Sequence, residues 1–321
     1  VTEVAASKGG TNTVPLRVEQ KHAFGALACP VTGQPLKRVG DALVTPDGKH
    51  SYPVVREIPR FVSSDHYVRS FSFEWNVHNR TQLDTYRDDG SSEQMFREKT
   101  GLRPEDVRGK LVLDAGIGAG RFADVLARWG ATVVGVDLSY AVEAANDNFG
   151  RMPNVLVCQA DIGKLPFRPG TFDYIVSIGV LHHTPDTHRY FSYLPPLLKK
   201  GGEIAIWVYP AEGSYVTRNY WIPFTNRIPK QWYYSFCRVF VPWALRHQDS
   251  RFVHFVQRVF PFSAQGLGVE NDILDTFDGY SPRFHGIHST AEVRGWFREA
   301  GLSELRDYEK WHTAVRGRRA A

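Results

Sequence analysis

Cysteine is scarce. Cys29, Cys158 and Cys237 are the only three in 321 residues, and their wide separation excludes a disulfide framework and any Cys-x-x-Cys zinc pair. No apolar run approaches the roughly 20 residues that a membrane span needs. Residues 1–12 are polar and small, without the apolar stretch of a secretory signal, so a soluble, cytoplasmic protein is the expectation. Charge of one sign is not in large excess. With 39 basic and 34 acidic residues the formal net charge is +5, too dispersed to form a nucleic-acid-binding arm. No internal repeat is visible. What remains is an ordinary globular composition, 42% hydrophobic and 23% charged, long enough for one large domain with additions or for two domains.

Punctuation divides the chain. Residues 1–25 lack periodicity and read as a flexible tail. Residues 26–62 alternate short apolar runs with turn signals such as Asp47-Gly48, which suggests hairpins. Residues 63–210 hold an aromatic-rich lid, about 67–86, followed by strand–helix alternation. Strands are expected at Lys110–Asp114, Thr132–Asp137, Asn154–Gln159, Phe172–Ser177 and Glu203–Val208. Helices are expected from about 92, then at Gly120–Trp129, Ser139–Phe149 and Asp186–Lys199, the last ended by Gly201-Gly202. Strands apolar on both faces imply a parallel sheet covered on both sides. Residues 211–288 break the alternation. Trp232, Phe236, Val239, Phe240 and Trp243, then Phe252, Phe255, Val256 and Val259, fall at helical spacing, so two amphipathic helices form a cap. Residues 289–321 complete the core with a helix capped by Ser289 and Glu292 and with strands at Leu302–Asp307 and Lys310–Val315.

The chemistry concentrates at strand ends. Leu111-Val112-Leu113-Asp114 runs into Ala115-Gly116-Ile117-Gly118-Ala119-Gly120-Arg121, a glycine loop that opens a helix. Ligands of open parallel sheets bind beyond the carboxyl ends of the strands. The dinucleotide spacing G-x-G-x-x-G fails, because Arg121 occupies the place of its third glycine. A phosphate loop fails as well, since no Gly-Lys-Ser/Thr follows. Asp114 would repel a pyrophosphate but suits an ammonium group. Asp137, at the second strand end, can accept ribose hydroxyls. Asp161, after the third, can accept from an exocyclic amine, with apolar neighbours to sandwich a ring.

Residues 110–209 resemble a class I S-adenosylmethionine-dependent methyltransferase, with each motif in order. The resemblance implies an α/β, Rossmann-like sheet, here with a β-rich N-terminal module and a helical insertion after the fifth strand. It implies S-adenosylmethionine as cofactor and S-adenosylhomocysteine as product. Asp114, Gly116, Gly118 and Gly120 would face the methionine part. Asp137 would hold the ribose and Leu138 flank the adenine, with Asp161 and Ile162 holding the adenine. Ile178 and Gly179 would lie along the cofactor near the methyl. Residues 28–61 resemble a Trm112-like or zinc-ribbon module. Cys29-Pro30, Tyr52-Pro53 and Ile58-Pro59 are kept, but Thr32 and Thr45 stand where cysteines belong. Cys29 and His50 cannot make a tetrahedral zinc site, so a degenerate, metal-free module is expected.

Methyl transfer from a sulfonium needs alignment, and a base only where the acceptor carries a proton. Candidates for the base are His183, Tyr209, Tyr280 and His285, and the resemblance places His183 nearest the methyl. The plainer reading of His182 and His183 is that they orient the loop before Pro185. The aromatic cap suits an enclosed small-molecule acceptor methylated on oxygen or nitrogen, in specialised or sugar metabolism. Tyr215, Arg218, Asp275 and Asp278 are plausible wall residues, and a homodimer through the insertion is a further expectation. Competing readings are an RNA methyltransferase of the ribosomal guanine type, and a non-catalytic cofactor-binding subunit. The dispersed basic residues weigh against nucleic acid.

Overall fold

The computed structural model describes residues 16–62, 83–87, 89–264, 268–308 and 312–321. Most of the expected tail and lid, Phe73-Glu74-Trp75 included, lies outside the described residues.

The chain opens with a small antiparallel sheet: β1 (Lys37–Val39), β2 (Ala42–Val44), β3 (Ser51–Val55) and β4 (Ile58–Pro59), paired in chain order. Helices α1 (Asp84–Arg87), α2 (Ser91–Thr100) and α3 (Pro104–Val107) lead into the core. There β5 (Leu111–Ala115), α4 (Arg121–Arg128), β6 (Thr132–Asp137), α5 (Ala141–Phe149), β7 (Val155–Gln159), β8 (Phe172–Ile178), α6 (Thr187–Ser192) and β9 (Leu198–Trp207) alternate. Four helices follow: α7 (Ser214–Thr225), α8 (Lys230–Arg246), α9 (Arg251–Val259) and α10 (Val269–Asp278). Then α11 (Thr290–Glu299), β10 (Leu302–Asp307) and β11 (Ala314–Arg319) close the fold.

The large sheet has seven strands in the order β10-β11-β9-β8-β5-β6-β7. Strands β5 to β9 are mutually parallel, and β11 enters antiparallel between β9 and β10. The fold is therefore the α/β, Rossmann-like class read from the sequence, with a separate antiparallel sheet at the N-terminus. The chain winds outward from β5 to β7 on one side, then resumes at β8 on the other. This reversal opens a crevice above β5 and β8, where such sheets hold ligands.

The N-terminal sheet covers an edge. Arg60 bridges Gln159, the Phe61 amide donates to the Gln159 carbonyl at 2.8 Å, and the Ala28 amide donates to Pro166 at 2.8 Å. An exposed β7 would invite pairing with other chains, and the module blocks it. Its core is continuous with that of the large sheet, since Leu27, Leu43 and Val54 share one cluster with Leu156 and Phe167. Cys29 is buried within it, with Sγ 3.1 Å from the Tyr52 hydroxyl. Among the described residues no three His, Cys, Asp or Glu side chains are grouped as a metal would require.

Several elements differ from the reading of the sequence. The helix expected over Asp186–Lys199 stops at Ser192, because Pro195 and Pro196 lack the amides to continue it. Gly201-Gly202 does not end a helix. It lies inside β9, where Gly201 has φ +72° and the register against β8 shifts, a β-bulge. Ser139 stands one place before the N-cap of α5, where its hydroxyl accepts from the Ala141 amide at 3.2 Å and donates to Asp137 at 2.7 Å. The last strand begins at Ala314, and the insertion contains four helices rather than two.

Candidate functional site

A cavity of about 480 Å³ lies at the carboxyl ends of β5, β6 and β8, beneath the insertion. Its sheet side is formed by Gly116, Gly118, Asp137, Leu138, Asp161, Ile162, Ile178 and Gly179. Its other side carries His183, Tyr209, Tyr215, Arg218, Asp275 and Asp278, with Lys99 and Arg121.

The glycine loop is built for close approach. Gly116 has φ +98°, and a Cβ there would collide with Val180. The loop amides are already committed. Gly116 and Ile117 donate to the Val136 carbonyl at 2.8 and 2.9 Å, and Gly118 donates to Asp137 Oδ2 at 3.0 Å. Three amides that a phosphate-binding loop would present are therefore turned onto the protein itself. Ile117 is accommodated because β6 has Gly135 opposite, where a Cβ would strike the Ile117 side chain.

Asp137 also accepts from the Ser139 amide at 2.8 Å and hydroxyl at 2.7 Å, both on Oδ1. Three of a carboxylate's roughly four acceptor positions are thus used, leaving one on Oδ2 for a ligand hydroxyl. Burial pushes its pKa up, and those hydrogen bonds hold it down. Asp161 accepts from the Gly163 amide at 2.8 Å through Oδ1, which fixes its rotamer at the start of a short 3-10 turn. Ile162, Leu138 and Tyr190 stand beside it on the wall.

Asp114 and Gly120 are not on the wall. Asp114 is buried behind the loop, and burial together with the nearby Asp137 raises its pKa to about 7. Gly120 packs under Phe149, whose ring would meet any Cβ there.

The two histidines after β8 have different roles. His182 is fully buried, stacked on Tyr209 with ring centroids 3.6 Å apart, and its Nδ1 accepts from the Tyr209 amide at 3.2 Å. It joins the loop to β9. His183 reaches the cavity, and its Nδ1 donates to the Phe284 carbonyl at 3.1 Å. This assigns the lone pair to Nε2. Burial lowers the His183 pKa to about 4, so the ring is neutral near pH 7. Tyr209 is 7% exposed and lines the cavity. His285 is set back, its centroid 6.1 Å from His183 and 4.8 Å from Tyr209; burial lowers its pKa to about 3. Tyr280 is a correction to the candidate bases. It is fully buried in the cap, stacked on Phe260 at 4.5 Å, and donates to the Pro261 carbonyl at 2.7 Å.

Lys99, beyond the sequence candidates, also lines the cavity, as do Asp275 and Asp278, which the sequence offered as wall residues. Lys99 Nζ sits 3.5 Å over the Trp207 ring, and burial with the nearby Arg121 drives its pKa well down. The signal was periodicity, since Phe96, Lys99 and Thr100 share the buried face of α2. Asp275 and Asp278 lie one helical turn apart on α10. Withdrawal from water raises each to about 6, with Arg121 opposing this at Asp275 and Arg218 opposing it at both.

Residues 113–206 match the family described as a methyltransferase domain. A tRNA U34 carboxymethyltransferase from Ruthia magnifica subsp. Calyptogena magnifica is 31% identical over 105 residues, covering 31% of this chain and 33% of that one. A ubiquinone biosynthesis O-methyltransferase from Coxiella burnetii is 35% identical over 101 residues, covering 30% of this chain and 43% of that one. The matches thus span between a third and somewhat under half of these relatives' length. Among solved structures, an S-adenosylmethionine dependent methyltransferase from Mesorhizobium loti is 29% identical, covering 39% of this chain and 59% of that one, with a TM-score of 0.33. Residues 113–206 thus carry the likeness to a methyltransferase domain, and S-adenosylmethionine is the methyl donor that this likeness indicates.

Proposed function

We propose that the protein transfers a methyl group from S-adenosylmethionine to an oxygen or nitrogen of a small-molecule acceptor held under the insertion. One observation carries the reading: a single cavity joins the strand-end acids Asp137 and Asp161 to the polar, aromatic underside of the insertion.

The residues present fit the donor. Asp137 keeps an acceptor position for a ribose hydroxyl. Asp161, its Oδ1 held by the Gly163 amide, stands on the same wall as Ile162 and Leu138, which suits an adenine and its amine. Gly116 allows backbone approach where a Cβ could not fit. When bound, S-adenosylmethionine supplies a methyl on an already activated sulfonium. The chain's contribution is then to align the acceptor and exclude water. Neutral His183 accepts a hydrogen bond from the acceptor's hydroxyl or amine through Nε2, and Phe284 holds the ring in that tautomer. Arg218, Asp275 and Asp278 orient the acceptor from above.

The charges on the wall favour a small acceptor over RNA. Lys99, Arg121 and Arg218 face Asp137, Asp161, Asp275 and Asp278, so the cavity offers no cationic track for phosphates. The experiment is an acceptor screen that measures release of S-adenosylhomocysteine. Turnover with hydroxylated or amine-bearing small molecules is expected, whereas turnover with RNA alone would contradict the reading.

A further inference from the structure

Helix α8 is apolar on two opposite sides. Tyr233, Cys237 and Val241 face inward and pack with Ile273, Phe277 and Tyr280, and Ala244 packs with Val253 and Phe262. Trp232, Phe236, Val239 and Trp243 recur every three or four residues and face outward, with Trp232 74% and Val239 73% exposed. Helix α9 repeats the arrangement with Phe252 and Phe255, 61% and 63% exposed, and Tyr220 and Phe224 extend it on α7. The stripes are contiguous. Trp243 meets Phe252 at 6.4 Å between ring centroids, and Trp221 Nε1 donates to the Val259 carbonyl at 2.6 Å. A folded chain rarely leaves so many large apolar groups together in water unless something covers them.

Charge identifies the cover. Between Tyr220 and Phe260 there are six cationic residues and a single carboxylate, Asp249. That excess of five equals the net charge of the whole chain, so the remainder is neutral overall. Arg238, Arg246, Arg251 and Arg258 are exposed, and none of them forms an ion pair among the described residues. They flank the apolar stripes, next to Val239, Phe252 and Val259. Aromatic and aliphatic groups bordered by arginines, on helices lying side by side, match the boundary of an anionic bilayer. No helix among the described residues is long and apolar enough to cross one.

We propose that the outer face of α7, α8 and α9 docks on an anionic lipid surface. A second copy of the chain would bring two such cationic faces together, and the repulsion disfavours it. Docking has a spatial consequence: Gln257 on α9 lines the cavity, so the acceptor side lies within about 10 Å, one helix diameter, of the lipid.

The test is co-sedimentation of the full chain with phosphatidylcholine vesicles, with and without an equal part of phosphatidylserine. Binding to the serine-containing vesicles is expected, weakened by salt and accompanied by a blue shift of tryptophan emission. Trp232→Ser with Phe255→Ser should abolish it. Arg238→Ser with Arg251→Ser should weaken it about thirtyfold, at the expected contribution per cationic side chain. Because these positions are exposed, both variants should keep the parent Tm. The proposal is overturned if the parent ignores anionic vesicles, or if both variants bind as well as the parent. It is equally overturned if the apolar substitutions dissociate a homodimer instead, or if the chain retains RNA and not vesicles.

Discussion

Asp137 and His183 line one cavity, and burial acts on both. Burial raises the Asp137 pKa, and the three hydrogen bonds donated by Gly118 and Ser139 oppose that rise. His183 loses its charge because burial outweighs the hydrogen bond that its Nδ1 donates to the Phe284 carbonyl. A neutral imidazole can accept a hydrogen bond from an acceptor's hydroxyl across the whole near-neutral range. His183→Ala is therefore expected to lower turnover by about a hundredfold, within the usual range for a positioned acid–base group, and to leave donor affinity unchanged. Turnover assays beside calorimetric titration separate the two effects. Equal losses in both would mean that His183 shapes the donor site rather than serving the acceptor. Asp137 and His183 were legible in the sequence because each follows a strand at a recognisable offset. Tyr280 was misjudged because its local sequence, polar and aromatic, does not tell a cavity wall from a cap core. Only the fold shows that its hydroxyl is consumed by Pro261.

At the level of elements, the loop after β5 and the strand β6 were shaped together. Ile117 fits because Gly135 has no side chain. Gly135→Ala should cost about 1–3 kcal/mol by overpacking. Ile117→Ala should also destabilise, by leaving a void beside a nearly closed site. Together they should cost less than the sum by about 1 kcal/mol or more, since each relieves the other. Chemical denaturation of the four proteins measures the coupling, and additivity would remove the argument. Helix α10 gives a pH prediction. Asp275 and Asp278 titrate near 6 in the fold and lower when unfolded, so the native state holds more protons between those values. Stability from this pair falls as pH rises through that window. Asp278→Asn should raise Tm above pH 6, with the gain fading in acid, and an equal shift at every pH would refute it. The sequence displayed the parallel strands well, since a fully buried strand reads as an unbroken apolar run. It hid the bulge at Gly201-Gly202, because a glycine pair signals a stop as readily as a bulge, and it hid Lys99, whose charge suggested solvent.

The molecule behaves as one cooperative unit in this account. The N-terminal sheet is fastened to β7 by Arg60, whose guanidinium donates to Gln159 Oε1 at 3.0 Å and pairs with Glu143. Because both sheets share a core, Arg60→Ala should lower stability by about 1–3 kcal/mol while unfolding remains a single transition. Two separated transitions in calorimetry would show the module to be independent. No pattern in the sequence announced this fastening, since Arg60 and Gln159 lie far apart in the chain and meet only at the sheet edge. The α/β class, by contrast, followed from alternation alone. The central claim is that the crevice above β5, β6 and β8 holds S-adenosylmethionine, and calorimetric titration with S-adenosylhomocysteine tests it most directly. The account predicts one site per chain, and a Kd about ten- to a hundredfold weaker in Asp137→Ala, the loss expected for hydrogen bonds to a charged group. Absence of binding by the parent protein, or an affinity unchanged by that substitution, would contradict it.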